Sequence, residues 1–79
     1  MEKRIAILGL LVQDREATAA VNRLLHEYGE WIIGRMGIPH RERCSVITVV
    51  MDCPADTAHA LSGALGQLDN VQVSALDAG

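Results

Sequence analysis

Two stretches of this chain, Ile5 to Val12 and Cys44 to Met51, are apolar at nearly every position rather than at every second one. A strand written this way is covered on both faces, because a half-exposed strand alternates apolar with polar residues. Neither stretch approaches the ~20 residues of a membrane span, and Gln13-Asp14-Arg15-Glu16 ends the first one abruptly. Met1-Glu2-Lys3-Arg4 ahead of an apolar run has the outline of a secretory leader, but no small-residue cleavage site follows. Both runs are expected to be central strands of one sheet, in a cytoplasmic chain without membrane contact.

The segments around them complete a pattern. Asp14 is placed to cap a helix whose apolar residues Ala17, Val21, Leu24, Leu25 and Tyr28 form one stripe, with Gly29 as a left-handed terminator. Glu30 to Met36, interrupted by Gly34 and charged at Arg35, reads as an edge strand. Gly37 to Arg43 reads as a loop at a hairpin tip, on account of its proline and charges. After Cys44 to Met51, Pro54 suits the first turn of a second helix striped by Ala58, Leu61, Ala64, Leu65 and Leu68. Gly63 and Gly66 would weaken that helix and so imply close backbone packing. Asp69-Asn70 turns the chain into Val71, Val73 and Ala75, which alternate with Gln72 and Ser74 as a second edge strand.

The order βαββαβ, with right-handed crossovers, gives a ferredoxin-like α+β sandwich: a four-stranded antiparallel sheet, strands one and three central, two helices on one face. It spans residues 1–79 as one domain. Two helices cover one sheet face, yet strands one and three are apolar on both. The second face needs a partner, and a homo-oligomer, dimer or tetramer, is the simplest one.

Composition narrows the function. At this length roughly 60% of the unfolded surface is buried, which leaves little room for a private active site. With one Trp, one Tyr and no Phe, the core is built from thin aliphatic layers. A formal charge of -3 argues against direct binding of nucleic acid. Two cysteines without C-x-x-C spacing fit reduced thiols rather than a disulfide framework.

No residue set has the spacing of a catalytic or metal centre. His26, His40, Cys44, Cys53 and His59 form no compact ligand motif; His40 with Cys44 is the best pair, and a solvent-exposed loop histidine beside a partly buried thiol is favoured over a metal site there. His26 and His59 lack a neighbour to orient them as general bases, and Ser45 and Ser62 lack a nucleophile-elbow context. The densest cluster of functional groups is Arg35, His40, Arg41 and Arg43 around Glu42. It can be read as a solvated hairpin tip or as a cradle for a carboxylate or phosphate. The turn Val12 to Arg15 offers free helical N–H groups to an anion, but the Asp14 carboxylate competes for them.

Val12-Gln13-Asp14-Arg15, Asn22-x-x-Leu25-His26-x-Tyr28, Gly34-Arg35-Met36-Gly37-Ile38-Pro39-x-Arg41-Glu42 and Ala60-Leu61-Ser62-Gly63-x-Leu65-Gly66-x-Leu68 resemble the family of iron-only hydrogenase system regulators over nearly the whole chain. The resemblance implies an ACT-like fold, related in topology to the ligand-sensing domain of the nickel-responsive repressor, together with oligomeric assembly and no enzyme activity or cofactor. His40 departs from the aromatic residue frequent after the proline, and Asp52-Cys53-Pro54 from a more glycine- or asparagine-rich turn. The expected function is a regulatory, ligand-sensing domain. Its expected ligand residues are Arg35, Gly37, Pro39, His40, Arg41 and Glu42, and its candidate partners are a small anionic ligand and a hydrogenase-related protein. The alternative is a purely structural interaction module.

Overall fold

The computed structural model describes residues 2–41 and 44–78, apart from the side chains of residues 39–41 and 78. In chain order it has β1 (Arg4–Val12), α1 (Arg15–Glu27), β2 (Ile32–Arg41), β3 (Cys44–Cys53), α2 (Ala55–Gly66) and β4 (Val71–Ala78). The strands lie in the order β2-β3-β1-β4, and every neighbouring pair is antiparallel. The two uniformly apolar strands are the central ones, as their composition requires.

One face of the sheet carries the core. Ala6, Leu8, Leu10 and Val12 of β1 and Ile47, Val49, Met51 and Cys53 of β3 point towards Ala17, Val21 and Leu25 of α1 and Ala58, Leu61 and Leu65 of α2, all buried. Leu24, Tyr28, Trp31, Ile32, Leu68 and Val73 close its margins. Each fully buried Leu is worth roughly 2 kcal/mol relative to exposure, so a core of aliphatic side chains holds a chain this short without aromatic filling.

Four local expectations are corrected. Tyr28 rather than Gly29 caps α1, and Gly29 opens a single 3₁₀ turn, Gly29–Trp31, without a left-handed φ. That turn lets Trp31 reach the core edge, where the Lys3 ammonium lies 5.7 Å from its ring centroid. β2 starts later than expected and continues to Arg41, so Gly37, Ile38, Pro39, His40 and Arg41 belong to a strand instead of a loop. Being an edge, β2 tolerates a residue with no N–H, and its pairing to β3 slips at Ile32/Gly34 and at Ile38/Arg41. Pro54 stands one residue ahead of α2, as its N-cap, and β3 runs on to Cys53. Finally, a Cβ at Gly63 or Gly66 would meet nothing within 4 Å, so neither glycine marks close packing.

Among the described residues no helix covers the other sheet face. Ile5 and Leu11 of β1 and Met36 and Ile38 of β2 are exposed there, and Leu76 of β4 is 67% exposed. Ile7, Val46 and Val50 complete an apolar surface whose single described charge is Asp52, at one end.

Candidate functional site

The polar features gather where β1 ends and α1 begins. Asp14 leaves the strand in an extended conformation (φ -150°, ψ 168°), the geometry of an N-cap, and its Oδ1 accepts from the Ala17 N–H at 2.6 Å. Its Oδ2 accepts from the Asn70 side-chain amide at 2.7 Å. Asn70 turns the chain from α2 into β4 with a positive φ of 65°, and its carbonyl accepts from the Gln13 N–H at 2.9 Å. Asn is among the few non-glycine residues that adopt this backbone readily. Both Asp14 oxygens are thus engaged within the chain, which supports capping over anion capture at that turn.

Beside this cap opens a cavity of about 550 Å³ lined by Asp14, Arg15, Thr18 and Ser45. The Thr18 hydroxyl donates to the Asp14 carbonyl at 3.1 Å, which leaves the Arg15 guanidinium and the Ser45 hydroxyl as the groups best able to meet a ligand. Arg15, Thr18 and Asn22 are spaced i, i+3 and i+7, along one face of α1. Across from that face, Arg35 of β2 donates to the Asn22 side-chain oxygen.

The structure brings together only part of the expected ligand cluster. Arg35 and Gly37 lie opposite Val49 and Ile47 in register, and so share the helix side of the sheet, whereas Met36 and Ile38 belong to the bare side. A Cβ at Gly37 would meet nothing within 4 Å. Arg35 is already committed to Asn22. Pro39, His40 and Arg41 continue β2, with side chains outside the described residues, and Glu42 and Arg43 lie outside them altogether.

The remaining candidates are scattered. His26 is exposed on α1, and His59 on α2 faces Asp77 at 3.7 Å with both side chains largely in water. Cys44 is half-buried. Cys53 is 1% exposed, and burial pushes its thiol above the ordinary range, against a smaller opposing effect of a hydrogen bond from the Ala58 backbone. Among the described residues no three His, Cys, Asp or Glu side chains converge as a metal site, and no helix is long and apolar enough to cross a membrane. Sequence reasoning singled out Asp14 but missed Thr18 and Ser45 as cavity residues. The available signal was the position of Thr18 four residues after the cap, since Ser45 meets it only through the sheet.

Residues 4–75 match the profile of the TM1266-like family, described as "Iron-only hydrogenase system regulator, putative". The chain belongs to the TM1266-like family. The solved structure of the uncharacterized protein TM1266 from Thermotoga maritima is 44% identical, covers 99% of this chain and 100% of its own, and superposes with a TM-score of 0.93. More distant structures share the fold alone. The C-terminal domain of the MgtC protein from Mycobacterium tuberculosis is 11% identical with a TM-score of 0.77, covering 96% of this chain and 88% of its own. An ACT domain protein from Streptococcus pneumoniae is 20% identical with a TM-score of 0.62, covering 94% and 89%. No curated protein matches the chain. The fold of this TM1266-like chain is accordingly α+β, ferredoxin-like and ACT-like.

Proposed function

We propose that this TM1266-like chain is a non-enzymatic, cytoplasmic regulatory domain of the iron-only hydrogenase system that works as an oligomer and responds to a small anionic ligand. Family membership supplies the process. The observation that carries the mechanism is the sheet itself: two helices bury one face, and the other presents Ile5, Ile7, Leu11, Val46 and Val50 from its two central strands. A contiguous apolar patch of several hundred Å² is rarely left bare on a monomer. For ligand binding to regulate, the ligand must favour one assembly over another through differential contacts. Arg35 and Gly37, with Pro39, His40, Arg41 and Glu42 further along the chain, are the proposed ligand residues.

Calorimetric titration with organic acids, amino acids and nucleotides at millimolar concentration, paired with sedimentation in the presence of any binder, tests this reading. It expects at least one anionic compound to bind and to shift the assembly; absence of binding across the panel refutes the sensing role.

The Arg35–Asn22 hydrogen bond favours a second reading, in which the segment from Gly34 to Glu42 is structural and the chain docks a hydrogenase-related protein without any small ligand. Arg35→Ala separates the two. Lower stability, with no anionic ligand bound by wild type or variant, supports the docking module; weaker ligand binding at unchanged stability supports the sensor.

A further inference from the structure

The bare sheet face has a relief that selects its own partner. Following the pairing register across the strands, Met36, Thr48, Gly9 and Ser74 form one transverse row, and Gly34, Val50, Ile7 and Leu76 form the next. At its centre the first row is a trough. Gly9 has no side chain, Ser74 is small, and a Cβ built at Gly9 would meet only the Ser74 carbonyl oxygen, at 3.9 Å. The second row has the opposite profile, with a ridge of Val50, Ile7 and Leu76 ending in a gap at Gly34. Met36, 61% exposed, stands at the end of the trough row, beside that gap.

These rows are about 7 Å apart, two residues of strand rise. A two-fold axis lying in the interface, parallel to the rows and midway between them, sets each row of one copy over the other row of its mate. Ile7 then enters the partner's trough at Gly9, Leu76 stands over Ser74, Val50 over Thr48, and Met36 over the gap at Gly34. Within these two central rows every large side chain meets a small one or a polar residue of modest size, while the outer rows bring Leu11 over the mate's Ile5 and Val46 over its Asp52. An axis through the trough itself would oppose ridge to ridge and leave the troughs empty.

We infer that the occupant of this face is a second copy of the chain, docked about that axis with Ile7 in the Gly9 trough. The inference rests on the oligomeric reading above and specifies its geometry. Neighbouring strands ~4.8 Å apart and four rows ~7 Å apart give a footprint of about 500 Å² per copy, hence roughly 1,000 Å² for the pair, the threshold for a specific interface. The shared surface carries no described charge except Asp52, which lies in the outermost row. Two copies therefore meet with little repulsion, and aligned sheets of this kind pack ~10 Å apart with interdigitating side chains.

Gly9→Leu fills the trough without touching the helical core. The experiment compares wild type, Gly9→Leu and Gly9→Leu/Ile7→Ala by sedimentation equilibrium from 1 to 200 µM, with circular dichroism to establish folding. Wild type is expected to dimerise or assemble further, Gly9→Leu to weaken the dissociation constant by about a hundredfold or more while staying folded, and the double variant to recover at least tenfold of that loss. A wild type monomeric throughout overturns both the oligomeric reading and this geometry. An oligomer indifferent to Gly9→Leu overturns the geometry alone. Disruption by Gly9→Leu without recovery in the double variant overturns the pairing of Gly9 with Ile7. Should Gly9→Leu fail to fold, Gly9→Val is measured in its place, with the same recovery expected from Ile7→Ala.

Discussion

Removing the Asp14 carboxylate tests how the two halves of the fold are tied together. Asp14→Ala deletes the α1 cap, worth about 1 kcal/mol, and with it the acceptor for the Asn70 amide, a solvent-exposed bond worth about 0.5 kcal/mol. The sum, about 1.5 kcal/mol, corresponds to a fall of about 9 °C in Tm for a domain of this size. Asn70→Gly removes the same amide while keeping the positive φ, and should cost about 0.5 kcal/mol. Asn70→Ala adds the left-handed backbone penalty and should cost about 1 kcal/mol more. The assay is urea unfolding followed by circular dichroism at one protein concentration, because assembly links stability to concentration. In a double-mutant cycle, Asp14→Ala and Asn70→Gly should be non-additive by about 0.5 kcal/mol. A loss below 0.5 kcal/mol for Asp14→Ala, or equal losses for the two Asn70 variants, would refute the reasoning.

Three further outcomes are expected. Leu61→Ala or Leu65→Ala, each emptying a fully buried position between α2 and the sheet, should cost 2–5 kcal/mol, read as a drop in urea midpoint or as outright unfolding. The folded chain holds the Cys53 proton to higher pH than the unfolded chain does. The resulting stability is fully present below the unfolded thiol's pKa and is lost as pH rises through the folded one, so the stability difference between wild type and Cys53→Ala should shrink at alkaline pH. Thiol labelling of the native protein at neutral pH should modify half-buried Cys44 well before buried Cys53, and equal rates would contradict the assigned burial.

The architecture was readable because its decisive signals are one-dimensional. Uniform apolarity in Ile5 to Val12 and Cys44 to Met51 marks the central strands, and 3.6-residue spacing in Ala17, Val21 and Leu25 marks a helix facing them. The end of β2 was missed because proline and charge in Gly37 to Arg43 outweigh strand preference locally, whereas pairing with β3 decides the outcome. Gly29 carries the composition of a terminator, but the pull of Trp31 and Ile32 towards the core continues the chain as a 3₁₀ turn. The site was less legible still. Ser45 meets Asp14, Arg15 and Thr18 through the sheet, and the Arg35–Asn22 contact spans 13 residues between different elements. Alternation within β2, which sends Arg35 and Gly37 to one side and Met36 and Ile38 to the other, becomes visible only once the strand is known to continue.

The central claim is that half of this sheet is buried by the chain's own helices and half by another copy. Native mass spectrometry of the wild-type protein purified from its host tests it most directly, since one spectrum reports both stoichiometry and any retained ligand. The account predicts a dimer or a higher even-numbered assembly, carrying a small anionic compound when one is present. A bare monomer as the sole species at every concentration up to 200 µM would contradict it.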